Sequence, residues 1–123
     1  MNKKKILFLE DEDELLTTVG GLLREQGYDV VIAVKAEEAL QVIEKTTPDM
    51  FLVDIKLPGI DGFDFLDRIQ RMDRCRNVPF VFLTAYNNLK AMLDAKKQGA
   101  TEYITKPFDF EYLVTRIREL VPP

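Results

Sequence analysis

The chain has 123 residues, of which 46% are hydrophobic, with a formal net charge of −4, a pI near 4.9, one cysteine and no histidine. The length and apolar content fit a single domain, residues 1–123, while the acidic balance argues against direct nucleic-acid binding and the lone cysteine excludes an internal disulfide framework. No apolar run approaches the roughly 20 residues of a membrane span, so we expect a cytoplasmic protein. Because the chain has no histidine, we expect its chemistry to use carboxylates, hydroxyls and lysines.

Five short apolar runs alternate with five amphipathic segments along the chain. The runs, at residues 6–9, 30–33, 50–53, 80–83 and 103–104, are continuous rather than alternating, which predicts strands buried on both faces of a parallel sheet. Between and after them, apolar residues recur at helical spacing: Leu15, Leu16, Val19, Leu22 and Leu23; Ala36, Ala39, Leu40 and Ile43; Phe63, Leu66 and Ile69; Leu89, Met92 and Leu93; and Phe110, Leu113, Ile117 and Leu120. The alternation predicts a doubly wound (βα)5 domain of the α/β class with right-handed crossovers and helices on both faces.

Polar residues follow four of the five predicted strands. Glu10 and Asp11 come after the first, Asp54 after the third, Thr84 after the fourth and Lys106 after the fifth. All these positions lie at the carboxyl edge of a parallel sheet, where ligands bind at the point at which strand order reverses. We therefore expect these side chains to converge on one cleft.

The chemistry of such a cleft follows from its residue types. Carboxylates held within a few ångströms repel one another, and a divalent cation removes that conflict. Oxygen ligands without histidine or cysteine favour Mg²⁺. A carboxylate can then act as nucleophile toward a phosphoryl group and form an acyl phosphate, with Lys106 and the Thr84 hydroxyl contacting its oxygens.

Four segments of the sequence match a known family. They are residues 6–12 (ILFLEDE), 53–62 (VDIKLPGIDG), 83–85 (LTA) and 103–108 (YITKPF). With these segments the chain resembles a response-regulator receiver domain over essentially its whole length. The resemblance implies a sheet in the order 2-1-3-4-5. It also implies that the chain is a switch of two-component signalling or of a phosphorelay. Such a switch is not an enzyme beyond its own phosphorylation and slow self-dephosphorylation. Its phosphoryl donor is implied to be a histidine kinase or a histidine phosphotransfer protein.

The resemblance also assigns roles to the polar residues. Asp54 is implied as the phosphoacceptor, Asp11 as a direct Mg²⁺ ligand (Mn²⁺ could replace it) and Glu10 as a ligand through water. The backbone carbonyl of Lys56 is implied as a further metal ligand. Lys106 is implied to contact the phosphoryl group, and the Lys106–Pro107 peptide bond is implied to be cis.

The resemblance further implies a switch pair and a set of residues that control access to the phosphate. Thr84 and Tyr103 form the pair: the Thr84 hydroxyl moves inward toward the phosphate, and the Tyr103 ring fills the space. Lys56, Ala85 and Tyr86 lie where they would control access to the phosphate. Lys56 has no amide to orient a water and Tyr86 is bulky, so we expect slow self-dephosphorylation.

Structural interpretations compete at several of these positions. We expect acids 12–14 to be solvated, with Asp13 capping the first helix, and Cys75 to be an inert loop thiol. Thr84 could instead cap the fourth helix, and Tyr103 could simply be a packed strand residue.

Three other functions are weighed against the switch. A Mg²⁺-dependent phosphohydrolase of the haloacid-dehalogenase type would need a second aspartate two residues after the nucleophile, where this chain has Lys56. A flavin or nucleotide binder would need a phosphate-cradling loop after the first strand, where this chain has acids. A metal-free pseudo-receiver that acts only as an interaction module is disfavoured by the full set of pocket residues.

The output of the switch stays open. The partner could be a downstream protein or a C-terminal effector domain, and phosphorylation could drive homodimer formation. Segments 88–93 and 112–119 are the expected interaction surface, by analogy alone.

Overall fold

The computed structural model describes residues 2–123, which form five strands and five helices in strict alternation. The elements are β1 (Lys5–Leu9), α1 (Asp13–Glu25), β2 (Asp29–Ala33), α2 (Ala36–Lys45), β3 (Met50–Val53), α3 (Gly62–Gln70), β4 (Phe80–Thr84), α4 (Leu89–Gln98), β5 (Glu102–Thr105) and α5 (Phe110–Leu120). The strands form one parallel sheet in the order β2-β1-β3-β4-β5. The predicted fold class and strand order are therefore confirmed.

A hydrophobic core covers each face of the sheet. Leu7, Phe51 and Phe82 point to one face and pack with α2, α3 and α4, whereas Phe8 and Leu52 point to the other and pack with α1 and α5. Side chains alternate between the faces along each strand, and β1, β3 and β4 are buried throughout their apolar length. Burial on both faces explains the continuous apolar runs in the sequence.

The predicted apolar face of α4 is correct for Met92, which packs against the core, and wrong for its two leucines. Leu89 and Leu93 are 69% and 51% exposed, and the buried residue of this helix is Ala95. Leucines at helical spacing identified the helix, but the face that packs against the core carries Ala91, Met92 and Ala95. Two large apolar side chains on α4 are therefore left in contact with solvent.

The helix caps also correct the sequence interpretation. Asp13 is the first residue of α1 and not its cap, because Glu12 occupies the N-cap position. Asn88 caps α4 by accepting from the backbone N–H of Ala91, so Thr84 does not act as that cap. Among the described residues, no helix has the length and apolarity needed to cross a membrane.

Candidate functional site

The polar residues at the strand ends are fixed by backbone hydrogen bonds that continue the sheet. The backbone N–H of Glu10 donates to Ala33, that of Asp54 donates to Leu9, and that of Lys106 donates to Thr84, at 3.0, 3.0 and 2.8 Å. Each side chain thus leaves the sheet from an ordered backbone position. The reversal of strand order lies between β1 and β3, so Glu10 and Asp54 flank the predicted binding point.

Lys106 joins the acids of this edge. Its Nζ lies 2.8 Å from Oε1 of Glu10, 3.3 Å from Oδ2 of Asp54 and 3.2 Å from Oε1 of Glu12. Glu10 is fully buried and Asp54 is 6% exposed, whereas the Glu12 side chain is 63% exposed. The structure therefore brings three carboxylates and one ammonium group together. The Lys106–Pro107 peptide bond is cis.

Glu10 is the most deeply held acid of the group. Its Oε2 accepts from the backbone N–H groups of Asp11 and Glu12, each at 3.1 Å, while its Oε1 accepts from Lys106. Burial raises the pKa of Glu10 above its usual value, an effect to which Asp54 adds and which the hydrogen bond from Lys106 opposes. Burial lowers the pKa of Lys106, but the charges and hydrogen bonds of Glu10 and its neighbours outweigh it and raise the pKa overall.

The two acids that follow Glu10 in the chain also border the cavity. Asp11, expected as a direct metal ligand, is exposed and borders the cavity. Glu12, expected to be solvated only, offers an oxygen to the cluster, since one ligand oxygen each of Glu10, Glu12 and Asp54 lie within 4.8 Å of one another. A run of five acids did not reveal which of them turn inward, because that depends on the path of the chain into α1.

A cavity of about 380 Å³ opens above Asp54. Its lining residues are Asp11, Glu12, Asp54, Lys56, Thr84, Ala85, Tyr86 and Lys106. At its mouth the Lys56 ammonium lies 4.7 Å from the centroid of the Tyr86 ring, a distance at which a cation is attracted to an aromatic face. All three residues expected to control access to the phosphate therefore line this cavity.

Thr84 and Tyr103 meet at the backbone of Tyr86. The Thr84 hydroxyl accepts from the Tyr86 N–H at 3.3 Å, and the Tyr103 hydroxyl donates to the Tyr86 carbonyl at 2.8 Å. Tyr103 is 7% exposed and its ring packs 6.0 Å from that of Phe82. Burial raises the pKa of Tyr103, which keeps the hydroxyl protonated as a donor. The ring already lies inward in this structure.

Cys75 lies apart from the site. Burial raises the pKa of its thiol, and the nearby charge of Arg74 only partly opposes that effect. A buried, protonated thiol is a poor nucleophile. The sequence interpretation of Cys75 as inert agrees with this environment.

The donor set of the acidic cluster suits a divalent cation. Its atoms are carboxylate oxygens, the ligand type that Mg²⁺, Ca²⁺ and Mn²⁺ prefer. A cation there would offset the mutual repulsion of three acids that share a single lysine. The residues present therefore fit a metal of this class.

The fold and the site together define a class of protein: a doubly wound α/β domain with acids, a hydroxyl and a lysine at the carboxyl edge of its sheet. The family model of the response regulator receiver domain matches residues 6–118. The chain belongs to this family, the receiver domains of two-component signalling. Receiver domains are typically non-enzymatic signalling switches.

The chain is similar in sequence to individual proteins of this family. It is 30% identical to sporulation initiation phosphotransferase F of Bacillus subtilis over 99% of this chain and 97% of that protein. It is 36% identical to the transcriptional regulatory protein TrcR of Mycobacterium tuberculosis over 95% of this chain but 45% of that protein. The chain spans about half the length of the transcriptional regulators that it matches.

One solved structure is informative about the site. The receiver domain of the sensor histidine kinase PA1611 from Pseudomonas aeruginosa superimposes with a TM-score of 0.88 at 26% identity, covering 99% of this chain and all of that one. That receiver domain was solved with a magnesium ion coordinated in its active-site cleft.

Proposed function

We propose that this chain is a phosphorylation-activated switch in which Asp54 accepts a phosphoryl group from a histidine kinase or a histidine phosphotransfer protein. One observation carries the proposal: the nearly buried Asp54 carboxylate forms the floor of an open cavity, with the Lys106 ammonium 3.3 Å away. A turn or cap acid would lie on the surface without such surroundings. The switch would act as one domain, residues 1–123, in the cytoplasm.

The transfer itself asks little covalent chemistry of the protein. A carboxylate oxygen of Asp54 attacks the phosphorus of a phosphohistidine, and the P–N bond breaks as the new P–O bond forms. The imidazole leaves with the electron pair and takes up a proton. Lys106 pairs with one phosphoryl oxygen and the Thr84 hydroxyl donates to another, so positioning and charge stabilisation provide the catalysis.

We propose Mg²⁺ as the cofactor, with Mn²⁺ able to replace it. Asp54, Glu10, Asp11 and the Lys56 carbonyl are the proposed ligands, and the position of the Glu12 carboxylate adds it as a further candidate. The metal would neutralise charge between the acids and the incoming phosphoryl group. The magnesium ion in the related PA1611 receiver domain supports this choice.

We propose that the phosphorylated form is long-lived. A water that attacks the acyl phosphate must enter through the mouth of the cavity, where the Lys56 side chain lies over the Tyr86 ring. Lys56 carries only N–H donors and no acceptor that could align such a water. The acyl phosphate should therefore persist for minutes or longer in the purified protein.

The proposed output surface comprises α4, β5 and α5. Tyr103 on β5 connects the cavity to this surface through its bond to the Tyr86 carbonyl. Four large apolar side chains are exposed on the two helices, namely Leu89, Leu93, Phe110 and Tyr112. A phosphoryl group that recruits Thr84 would change the hydrogen bonding of Tyr86 and, through it, this surface.

A mass measurement tests the phosphoacceptor. The protein is incubated with acetyl phosphate and Mg²⁺, and intact masses are compared for the wild type, Asp54→Asn and Asp64→Asn. The wild type and Asp64→Asn, which changes an exposed acid on α3, should gain one phosphoryl group, and Asp54→Asn should gain none. Equal gain by Asp54→Asn, or none by the wild type, would refute the proposal, and the second outcome would favour a pseudo-receiver.

A second measurement tests the output. Oligomeric state and ¹H–¹⁵N spectra are compared with and without beryllofluoride, a mimic of the acyl phosphate. We expect the signals of α4, β5 and α5 to shift. A simultaneous increase in mass would indicate a homodimer, and a shift without such an increase would favour recruitment of a downstream protein or effector domain. Spectral changes confined to the cavity would rule out this surface.

A further inference from the structure

Gly62, the first residue of α3, is packed against the phosphoacceptor strand more tightly than any side chain allows. A Cβ atom built at Gly62 would lie 2.5 Å from the carbonyl oxygen of Asp54, 2.7 Å from the Cα of Ile55 and 3.0 Å from the Phe82 ring. Atoms this close must move apart. The two nearest are backbone atoms of the residues that directly follow β3, so a rotamer change cannot relieve the contact.

Conformational freedom is not the reason for glycine at this position. Gly62 does not have a positive φ, unlike Gly27, Gly59 and Gly99. Its backbone N–H donates to the carbonyl of Ile55 at 2.7 Å, so the two ends of the loop formed by residues 56–61 lie next to each other. The requirement for glycine is therefore one of close approach between the two ends of this loop.

The same contact determines where the reactive groups lie. The Asp54 side chain leaves the peptide that Gly62 touches, and Lys56, whose carbonyl is a proposed metal ligand, follows two residues later. The Ile55 side chain is 2% exposed and anchors the loop between them. A methyl group at residue 62 would force the Asp54–Ile55 peptide and the start of α3 apart by at least about 0.5 Å.

We infer that Gly62 is a positioning residue for phosphoryl transfer, which acts through the backbone at residues 54–56 and touches neither phosphate nor metal. The inference rests on the proposed role of Asp54. Displacements of about 1 Å at a reacting group can cost roughly 100-fold in rate. A smaller displacement at Gly62→Ala should lower the rate constant of phosphorylation by about 10-fold.

The test compares two glycine-to-alanine changes in helices. Gly62→Ala should lower the rate of phosphorylation by acetyl phosphate and Mg²⁺. Gly21→Ala is the matched control because a Cβ at this position in α1 would meet nothing within 4 Å, and it should react at the wild-type rate. Circular dichroism identifies a temperature at which all variants are folded. Gly62→Ala is also made in the Gly21→Ala background, because alanine at residue 21 stabilises α1 and offsets a loss of stability.

A spectroscopic measurement separates positioning from general loss of structure. In metal-free protein, the amide signals of Asp54 and Ile55 and the side-chain ammonium signal of Lys106 should shift in Gly62→Ala and stay in place in Gly21→Ala. This readout does not require phosphorylation. If the wild type takes up no phosphoryl group, the proposed function fails, and these signals still decide whether Gly62 positions the Asp54–Lys106 pair.

Three results would overturn the inference. One is a Gly62→Ala variant that is phosphorylated at the wild-type rate. Another is a slower variant whose Asp54 and Lys106 signals are unchanged. The last is a Gly62→Ala variant that folds neither in the wild-type chain nor in the Gly21→Ala background, because glycine at residue 62 would then be required by the fold and not by the site.

Discussion

Replacing Lys106 with methionine should destabilise the metal-free protein, and by an amount that depends on pH. The ammonium group lies 2.8 Å from Glu10 and 3.3 Å from Asp54, where each attraction is worth roughly 5–6 kcal/mol before desolvation at an effective dielectric constant of about 20. Most of this is offset by the cost of burying the charges. Removal of one partner of a buried pair costs about 3–5 kcal/mol, and we expect about 3 kcal/mol at pH 8.

The pH dependence follows from Glu10. Burial already raises its pKa above the usual 4.5, and Lys106 opposes that rise, so the pKa of Glu10 should be higher still in Lys106→Met. Between 4.5 and this raised value the folded state binds more protons than the unfolded state, and stability therefore falls as the pH increases. The variant should lose only about 1 kcal/mol at pH 5, where Glu10 takes up a proton in place of the missing ammonium.

Urea unfolding without metal at pH 5 and pH 8 measures both losses. Glu10→Gln/Lys106→Met should recover most of the stability at pH 8, since it leaves no buried charge at residue 10. Glu12→Gln is the matched control, because its side chain is 63% exposed and exposed pairs contribute about 0–1 kcal/mol. An equal loss at both pH values, or no recovery in the double variant, would refute the reasoning.

Three further predictions concern single contacts. Tyr103→Phe removes the hydroxyl that donates to the Tyr86 carbonyl and should cost about 1 kcal/mol in urea unfolding, with amide shifts at residue 86; an unchanged residue 86 would contradict the proposed link. Gly99→Ala, at φ +111° and with a Cβ 2.7 Å from Nε2 of Gln70, should lower the free energy of unfolding by about 1–2 kcal/mol; an unchanged urea midpoint would count against this. Cys75 should react with a thiol reagent only as fast as the protein unfolds, because it is buried with a raised pKa; rapid labelling of the folded protein would show otherwise.

The order and type of the elements could be predicted from sequence because they follow from local patterns. Apolar runs at residues 6–9, 50–53 and 80–83 correspond to strands buried on both faces. A strict strand–helix alternation leaves few topologies once right-handed crossovers are required. The strand order itself came from resemblance to a family and not from the patterns.

Details that depend on packing were predicted less well. The leucines of α4 share a helical face, yet Leu89 and Leu93 are exposed and Ala95 is buried. Periodicity identifies a face of a helix but not which side meets the sheet, and small residues let a helix approach closely. Asp13 was expected to cap α1, but Asp13 is the first residue of the helix and Glu12 occupies the N-cap position.

At the site, the sequence determined the chemistry and the tertiary structure determined the geometry. The residue types that end the strands, with Asp54 and Lys106 among them, specify acids and a lysine at one sheet edge, since parallel strands present their carboxyl ends together. Only folding decided that Glu10 is buried beneath Lys106, that the Glu12 carboxylate joins the cluster, and that Gly62 touches the Asp54 peptide. These contacts join residues far apart in the chain, so their distances depend on how helices and loops pack and not on any local pattern.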